Sequence, residues 1–249
     1  MILKGGTNLC GIPIGILCLE TYYGRPPGHL RNASTFRFPV MYRIIQGATA
    51  MRVVKEADPE LLNPFIKAAQ ELEQEGVMAI TGSCGFLALF QEQLADCVNI
   101  PVFTSSLIQI PMVYRMLRRN QKVGILTASK STLTEAHLKS VGAETVPVCV
   151  AGMDAQKEFC EVVIEGRRNE LDVARLGQEV LAVVGGLAED HPEMGALVIE
   201  CTDLPPFAHL IQEKIHLPVF DIVTLTNMVY ETLVRTPYQG IMPRRILVD

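Results

Sequence analysis

Two cysteines hold the same place in two similar segments of this chain. The first segment, MAITGSCG, covers residues 78–85 and contains Cys84, and the second, LVIECTD, covers residues 197–203 and contains Cys201. At the 117-residue offset between the cysteines, the triplet Pro-Val-Phe at 101–103 matches the same triplet at 218–220 without a gap. A thiol can remove or return a proton at carbon, so this matched pair predicts acid–base chemistry on one substrate from two sides.

The residues beside the two cysteines predict how the thiols would be used. Each cysteine comes where a predicted strand turns into a predicted helix, and backbone N–H groups at such a turn favour a thiolate and predict a lowered thiol pKa. The same amides can bind a substrate carboxylate or a developing oxyanion. Four neighbours are therefore predicted to contact the substrate: Ser83, Gly85, Thr202 and Asp203.

The remaining cysteines are predicted to be buried packing residues without a chemical role. These five are Cys10, Cys18, Cys97, Cys149 and Cys160. The total of seven is odd and no two cysteines form a C-x-x-C pair, which argues against a disulfide framework and against a structural zinc site. Reduced thiols of this kind predict a cytoplasmic protein with no bound metal.

The composition argues against several classes of protein. With 249 residues, of which 49% are hydrophobic and 20% charged, the chain can bury a sizeable core. The net charge of −5 gives no cationic surface for nucleic acid, and no apolar run is long enough to predict a membrane span. The sequence has neither a Gly-x-Gly-x-x-Gly motif after a strand nor a Walker motif, and nothing in it calls for pyridoxal phosphate, so no cofactor is predicted.

Short apolar runs alternate with helical patterns along the chain, which predicts an α/β fold with mostly parallel sheets flanked by helices. Strands are predicted at 12–19, 77–83, 101–105, 122–127, 144–150, 196–201 and 218–222. A helix is predicted between Asp58 as N-cap and Gly76, and another from a capping box at Thr132–Glu135 to Gly142. Further helices are predicted at 154–165, 172–189, 203–215 and 224–235.

The repeat extends beyond the cysteines and predicts two similar lobes. The sequence IGIL at 14–17 resembles VGIL at 123–126, an offset of 109 residues that is close to the offset between the cysteines. We therefore predict two Rossmann-like α/β lobes, residues 1–118 and 119–225, followed by a segment at 226–249 of undefined placement. Ligands of open α/β sheets bind beyond the carboxyl ends of the strands, which predicts an active site in the cleft between the lobes.

The two cysteine motifs resemble those of the aspartate/glutamate racemase superfamily, which also contains hydantoin racemases, maleate isomerases and arylmalonate decarboxylases. Its members have two pseudo-symmetric lobes with a cysteine from each, often in Cys-Asn-Thr and Gly-Cys-Thr contexts. The sequence ALVIECTD at 196–203 is similar to the second motif, with Glu200 in place of the glycine. The sequence AITGSCG at 79–85 resembles the first motif, with Gly-Phe in place of Asn-Thr. The resemblance covers residues 12 to about 223.

This resemblance implies a cofactor-independent amino-acid racemase, an isomerase of amino acid metabolism in which Cys84 and Cys201 are the opposed acid and base. The implied partner is a small carboxylate-bearing substrate, with no nucleic acid and no membrane, and the resemblance allows a homodimer. Three alternatives stay open at this point. They are another enzyme of the superfamily such as a hydantoin racemase or a maleate isomerase-like protein, a non-catalytic protein that binds a small acid, and a thiol redox pair.

Two further segments are predicted to bind the substrate. Glu20 ends the first strand, in a position where members of the superfamily often carry a polar residue that assists the thiol. The following loop, residues 21–39, contains four basic residues and Asn32, so it is either a cover of the cleft that holds a carboxylate or a solvated surface loop. In the second lobe, the segment LTASKST at 126–132 resembles a hydroxyl-rich carboxylate-binding segment of the superfamily. Its candidate residues are Thr127, Ser131 and Thr132.

Overall fold

The computed structural model describes residues 2, 5–7 and 9–240. Within this part of the chain, two four-stranded parallel sheets form, with strand orders β2-β1-β3-β4 and β6-β5-β7-β8. The first sheet consists of β1 (Ile14–Cys18), β2 (Val40–Ile44), β3 (Ala79–Gly82) and β4 (Val102–Phe103). The second consists of β5 (Lys122–Thr127), β6 (Val148–Gly152), β7 (Met194–Ile199) and β8 (Val219–Phe220). The predicted fold of two similar α/β lobes is confirmed.

The strand β2 is the one that the hydrophobic pattern did not predict. It lies at the edge of the first sheet and pairs with β1 alone, and its side chains are half-buried or exposed. Strands buried on both faces are nearly continuous hydrophobic runs, as in Ile14–Cys18. An edge strand such as β2 is less buried, so its sequence is not a continuous hydrophobic run.

Helices cover both sheets. The α-helices are α1 (Leu62–Gln74), α2 (Gln91–Asp96), α3 (Ile110–Arg115), α4 (Glu135–Lys139), α5 (Lys157–Phe159), α6 (Val173–Asp190), α7 (Ala208–Ile215) and α8 (Ile222–Leu233). Short 3₁₀ turns lie at Pro59–Leu61, Gly85–Phe90, Ser106–Gln109 and Pro205–Phe207, and π-helical turns at Met51–Lys55 and Cys160–Ile164. No helix of the described residues is both long enough and apolar enough to cross a membrane.

Two predicted helix starts have different outcomes. Asp58 does cap the turn before α1, because its side chain accepts a hydrogen bond from the Glu60 amide at 2.9 Å. The capping box predicted at Thr132–Glu135 is wrong, since α4 begins two residues later, where Thr134 and His137 form the box. Just before this point, Ser129, Lys130 and Ser131 donate hydrogen bonds to the Asp154 carboxylate, so these residues do not join the helix.

The last helix returns to the first lobe. Ile222 and Leu225 of α8 are buried in the same cluster as Ile14 and Ile16 of β1, and Tyr230 stacks on Phe38 with 3.8 Å between ring centroids. Helix α8 therefore covers the open face of the first sheet. The predicted lobe boundary at 225 falls inside this helix, and residues 241–249 lie outside the described part of the chain.

Candidate active site

The two cysteines meet in one cleft between the lobes. Cys84 follows β3 and Cys201 follows β7, the third strand of each lobe, so both lie at the carboxyl edge of their sheet. Both line the same cleft. All four neighbours that were predicted to contact the substrate also line it: Ser83, Gly85, Thr202 and Asp203. The repeat in the sequence thus corresponds to two halves of one site.

A hydrogen bond joins the two cysteine loops directly. The Thr202 hydroxyl donates to the Ser83 carbonyl oxygen at 2.6 Å, across the boundary between the lobes. Ser83 in turn accepts a hydrogen bond from the Leu19 amide on its hydroxyl at 3.0 Å. The residue after one cysteine is therefore bound to the residue before the other.

Both thiols are nearly buried, with 8% exposure for Cys84 and 4% for Cys201. Burial raises the pKa of the Cys84 thiol well above its ordinary value, and the carboxyl group of Glu200 adds to this, while the amides of Phe86 and Leu87 lower it only in part. Burial likewise raises the pKa of Cys201, with a further contribution from Asp203. The predicted lowering of the thiol pKa is therefore wrong, because the pKa of both thiols is raised, which favours the neutral form.

Asp203 is a fixed carboxylate beside Cys201. Its Oδ2 accepts a hydrogen bond from the Cys201 thiol at 3.5 Å, and its Oδ1 accepts from the Tyr23 hydroxyl and from His29 Nε2, the latter at 2.8 Å. Burial alone would raise the pKa of Asp203, but the bonds from His29 and Tyr23 and the charge of Arg25 bring it below its usual value. Asp203 is therefore ionised, and both of its oxygens already accept hydrogen bonds.

The tautomer of His29 follows from its second nitrogen. His29 Nδ1 accepts a hydrogen bond from the Arg31 amide at 2.8 Å, so the ring proton lies on Nε2 and is donated to Asp203. In a doubly protonated ring the Nδ1–H would point at the Arg31 N–H, and two donors cannot form a hydrogen bond with each other. His29 is therefore a neutral donor that orients the carboxylate.

Glu200 is the second carboxyl group of the cleft and is fully buried. Its Oε2 accepts hydrogen bonds from the Thr127 hydroxyl at 2.7 Å and from the Ala128 amide at 3.0 Å. Its Oε1 finds no hydrogen-bond partner in the part of the chain that the structure describes. Burial raises the pKa of Glu200 to about 7. The sequence shows Glu200 as a carboxylate beside Cys201 and as a replacement for the glycine of the motif, but it was not among the predicted substrate-binding residues.

The loop at 21–39 does cover the cleft. Tyr23 and His29 contact Asp203 of the second lobe, and the Gly24 amide donates to the Asn169 carbonyl at 3.1 Å. Gly28 has a φ of +95°, and a Cβ there would lie 3.0 Å from the Pro206 Cα, so glycine is needed for this close approach. Of the two alternatives for this loop, a solvated surface loop is therefore wrong.

Two arginine side chains of the loop, Arg25 and Arg31, bind the same hydroxyl group beside the cleft. Arg31 lines the cleft and donates to the Thr21 hydroxyl at 2.7 Å. Arg25 lies 4.7 Å over the Tyr23 ring and donates to the same Thr21 hydroxyl at 2.6 Å. The two guanidinium groups thus meet at Thr21, and Arg31 gives the cleft a cationic end.

Two predicted substrate-binding residues lie outside this cleft. The Glu20 carboxylate accepts hydrogen bonds from the Tyr22 hydroxyl at 2.6 Å and from the Gly47 amide at 2.7 Å. The Asn32 side chain donates to the Arg25 carbonyl at 2.9 Å. Both therefore shape the loop and the strand end that carry the cleft residues, and neither side chain lines the cleft.

The hydroxyl-rich segment is occupied by a carboxylate of the protein itself. Asp154 Oδ1 accepts hydrogen bonds from the hydroxyls of Ser129 at 2.6 Å and Ser131 at 2.8 Å, and its Oδ2 accepts from the Lys130 amide at 2.6 Å. Thr127 donates instead to Glu200, and the buried Thr132 hydroxyl finds no partner among the described residues. Ser129, Lys130 and Ser131 of this segment thus bind Asp154 of the fold, and Thr127 binds the Glu200 carboxyl group of the cleft.

We expect the Asp154 site to contribute measurably to stability. Burial would raise its pKa, but the donors of Ser129, Ser131 and Lys130, together with the Lys55 ammonium group 3.5 Å away, lower it to about 2. From the ordinary value of 3.8, this corresponds to about 2 kcal/mol of stability, which is present above about pH 4 and is lost as the pH falls towards about 2.

Asp154→Asn should therefore lower the free energy of unfolding by about 2 kcal/mol at neutral pH in denaturant titrations, with a smaller difference from wild type at acid pH. The exposed Asp190→Asn is the matched control, with an expected change within about 0.5 kcal/mol. A difference that stayed constant from neutral to acid pH would contradict the role of the charge.

In the described part of the chain, no three His, Cys, Asp or Glu side chains are grouped to hold a metal ion. The seven cysteines are free thiols. The groups that the cleft offers to a ligand are two thiols, the carboxyl groups of Glu200 and Asp203, and Arg31.

Solved structures that are similar to this chain include aspartate racemase from Picrophilus torridus, glutamate racemase from Aquifex pyrophilus and an arylmalonate decarboxylase. The TM-scores are 0.57, 0.56 and 0.53, at sequence identities of 13%, 15% and 11%. The matches cover 89%, 90% and 91% of this chain and 94%, 84% and 95% of the other chains. The chain has the fold of the aspartate/glutamate racemase superfamily. No family model matches the sequence.

Within this superfamily fold, relatives by sequence carry a different name. A protein from Durusdinium sp. clade D named dimethylsulfoniopropionate lyase is 28% identical over 94% of this chain and 79% of its own length. Dimethylsulfoniopropionate lyase 3 from Emiliania huxleyi is 29% identical over 92% of this chain, and the match covers 61% of that longer protein. These relatives are lyases by name.

The predicted racemase function and isomerase class are therefore corrected, because relatives that match nearly the whole chain are named lyases. The physical reason for the error is that a cysteine pair at this edge of the superfamily fold indicates proton removal at a carbon atom. Whether the resulting carbanion is then reprotonated or expels a leaving group depends on the substrate, which the motif does not specify.

Proposed function

We propose that this protein is a lyase that acts on dimethylsulfoniopropionate or a closely similar β-sulfonio carboxylate. The observation that carries the proposal is the similarity to proteins named dimethylsulfoniopropionate lyase along 92–94% of this chain. The cleft supports it, because it combines thiols that can act on a carbon-bound proton with an arginine that can bind a carboxylate.

The chemistry is an elimination. A base removes the proton from the carbon next to the carboxylate, the electron pair of that C–H bond becomes the C=C bond, and the C–S bond breaks. The sulfur takes the electron pair of the broken bond and leaves as neutral dimethyl sulfide, while acrylate and one proton on the base remain. The first step is the same as in racemisation, so the superfamily fold suits both reactions.

Cys201 is the thiol best placed to act as the base. Its proton already points to Asp203, which is ionised and held in position by Tyr23 and His29. Burial and the Asp203 charge raise the pKa of this thiol, so its thiolate form needs a compensating positive charge. The sulfonium group of the substrate supplies a positive charge in the same cleft, which favours the thiolate only when substrate is bound.

The test is direct product analysis. We expect purified protein with dimethylsulfoniopropionate to release dimethyl sulfide, measured in the headspace by gas chromatography, and an equal amount of acrylate, measured by proton NMR. The Cys84→Ala/Cys201→Ala double variant gives the background rate of elimination by the buffer. Dimethyl sulfide release at the rate of this double variant would overturn the proposal.

A further inference from the structure

Glu200 Oε1 has no hydrogen-bond partner among the described residues, and the elimination described above gives it no role. A fully buried carboxyl oxygen without a hydrogen bond is costly, because its water contacts are lost and nothing replaces them. Gly85 packs directly against this oxygen, and any side chain at that position would collide with it. Glycine at position 85 therefore allows the Glu200 carboxyl group to lie against the Cys84 loop at the wall of the cleft.

The other polar groups of the cleft have partners. Both oxygens of Asp203 accept hydrogen bonds, His29 has both ring nitrogens engaged, and the Thr202 hydroxyl is bound to Ser83. Among the described residues that line the cleft, Glu200 therefore has the carboxyl oxygen that accepts no hydrogen bond, and the cationic side chain is Arg31. These two groups lie on different lobes, which suits a ligand with opposite charges at its two ends.

We propose that Glu200 Oε1 binds the cationic end of the substrate and makes the site selective for small carboxylates that carry an onium group. The carboxylate of the substrate then faces Arg31, and the carbon between the two charged ends lies beside the thiols. This inference rests on the proposed function for the reaction that follows, but the recognition of an onium group is a separate property that binding alone can test.

The position of the proton on Glu200 links this binding to pH. Oε2 accepts two hydrogen bonds, so the proton of the neutral acid lies on Oε1, the oxygen that has no hydrogen-bond partner among the described residues. An onium group has no lone pair to accept that proton, so it binds to the carboxylate form and displaces the proton into solution. The side chains that face Glu200 across the cleft or beside it are Cys84, Cys201, Asp203, Tyr23, His29 and Arg31.

The direction of the pH dependence follows from the pKa of Glu200, which burial raises to about 7. Below that value the acid must release a proton before an onium ligand binds, so the affinity falls by up to about tenfold for each pH unit. Above it the carboxylate is already formed and the affinity is constant. A neutral ligand of the same shape binds without release of the Glu200 proton, so its affinity does not depend on pH in this way.

The experiment compares two probes by isothermal titration calorimetry with the full chain. One is propionate with a trimethylammonio group on its β-carbon, and the other is the same acid with an uncharged tert-butyl group there. At about pH 8 we expect wild type to bind the cationic probe roughly tenfold or more tightly than the neutral one. At about pH 6 we expect the cationic probe to release close to one proton, seen as a dependence of the binding heat on the buffer used.

Glu200→Gln keeps the size and the acceptor of the side chain but removes its charge. We expect this variant to bind both probes with similar affinity and to release no proton, while the exposed Glu189→Gln behaves as wild type. Equal affinity of wild type for the two probes, or a preference for the cationic probe that persists in Glu200→Gln, would overturn the inference. The wild-type comparison holds even where the variant does not fold.

The lyase activity and the onium-binding role of Glu200 can be disproved independently of each other. Absence of dimethyl sulfide together with Glu200-dependent onium binding would overturn the lyase activity and leave the recognition site. Release of dimethyl sulfide by a protein that does not distinguish the two probes would overturn the role of Glu200 alone.

Discussion

Cys201→Ala is expected to lower kcat for dimethyl sulfide release by roughly 100-fold or more, the usual loss when a general base is removed. The reason is the pair that Cys201 forms with Asp203, since the thiol proton is already directed at an ionised acceptor. Cys84→Ala is expected to have a smaller effect, because dimethyl sulfide leaves as a neutral molecule and needs no proton. Initial rates from headspace analysis at saturating substrate measure both.

Cys97→Ala is the matched control, since this half-buried cysteine lies outside the cleft and bonds to a backbone carbonyl of its own helix. Its kcat should equal that of wild type. Equal losses for Cys84→Ala and Cys201→Ala would show that both thiols handle protons during turnover. Full activity of Cys201→Ala would remove this residue from the role of base.

Gly85→Ala is expected to lower the free energy of unfolding by roughly 1–3 kcal/mol and to abolish most of the activity. A Cβ at this position would overlap both the Glu200 carboxyl group and the Glu200 carbonyl oxygen. Because one of these atoms belongs to the backbone, the collision is relieved only by a shift of the Cys84 loop against the Cys201 loop. Thermal unfolding and kcat measured on the same preparation report the two effects.

Gly186→Ala makes the same chemical change in open space. Gly186 lies on the exposed side of α6, and no atom lies within 4 Å of the position of its Cβ. Alanine is the better helix former, so this variant should be more stable than wild type by roughly 0.5–1 kcal/mol, with unchanged activity. A Gly85→Ala variant as stable as wild type would show that the two cysteine loops are not closely packed.

The sequence was sufficient to locate the cleft. The repeat placed Cys84 and Cys201 at equivalent strand ends, and parallel strands bring their carboxyl ends to one edge. Local patterns therefore predicted the two lobes, the helix after Asp58 and the six cleft residues around the cysteines. Each of these features depends on residues that are close together in the chain or on the regular pattern of side chains along a strand.

What the sequence did not predict depends on contacts between distant segments. The thiol pKa values follow from burial and from Asp203 and Glu200, which outweigh the amides at the turn. Ser131 matched a carboxylate-binding pattern, but the carboxylate came from Asp154 of the neighbouring strand connection. His29 lies 174 residues from Asp203, and only the folded loop brings them together.

The hydrogen bond between Thr202 and Ser83 is one of several bonds that join the two lobes. It connects the two cysteine loops at 2.6 Å, and Lys55 of the first lobe donates to Ser129 of the second at 2.8 Å. The loop that carries Tyr23 and His29 adds a third connection, through Asp203. The spacing of the two thiols therefore depends on contacts between the lobes as well as on the fold of each lobe.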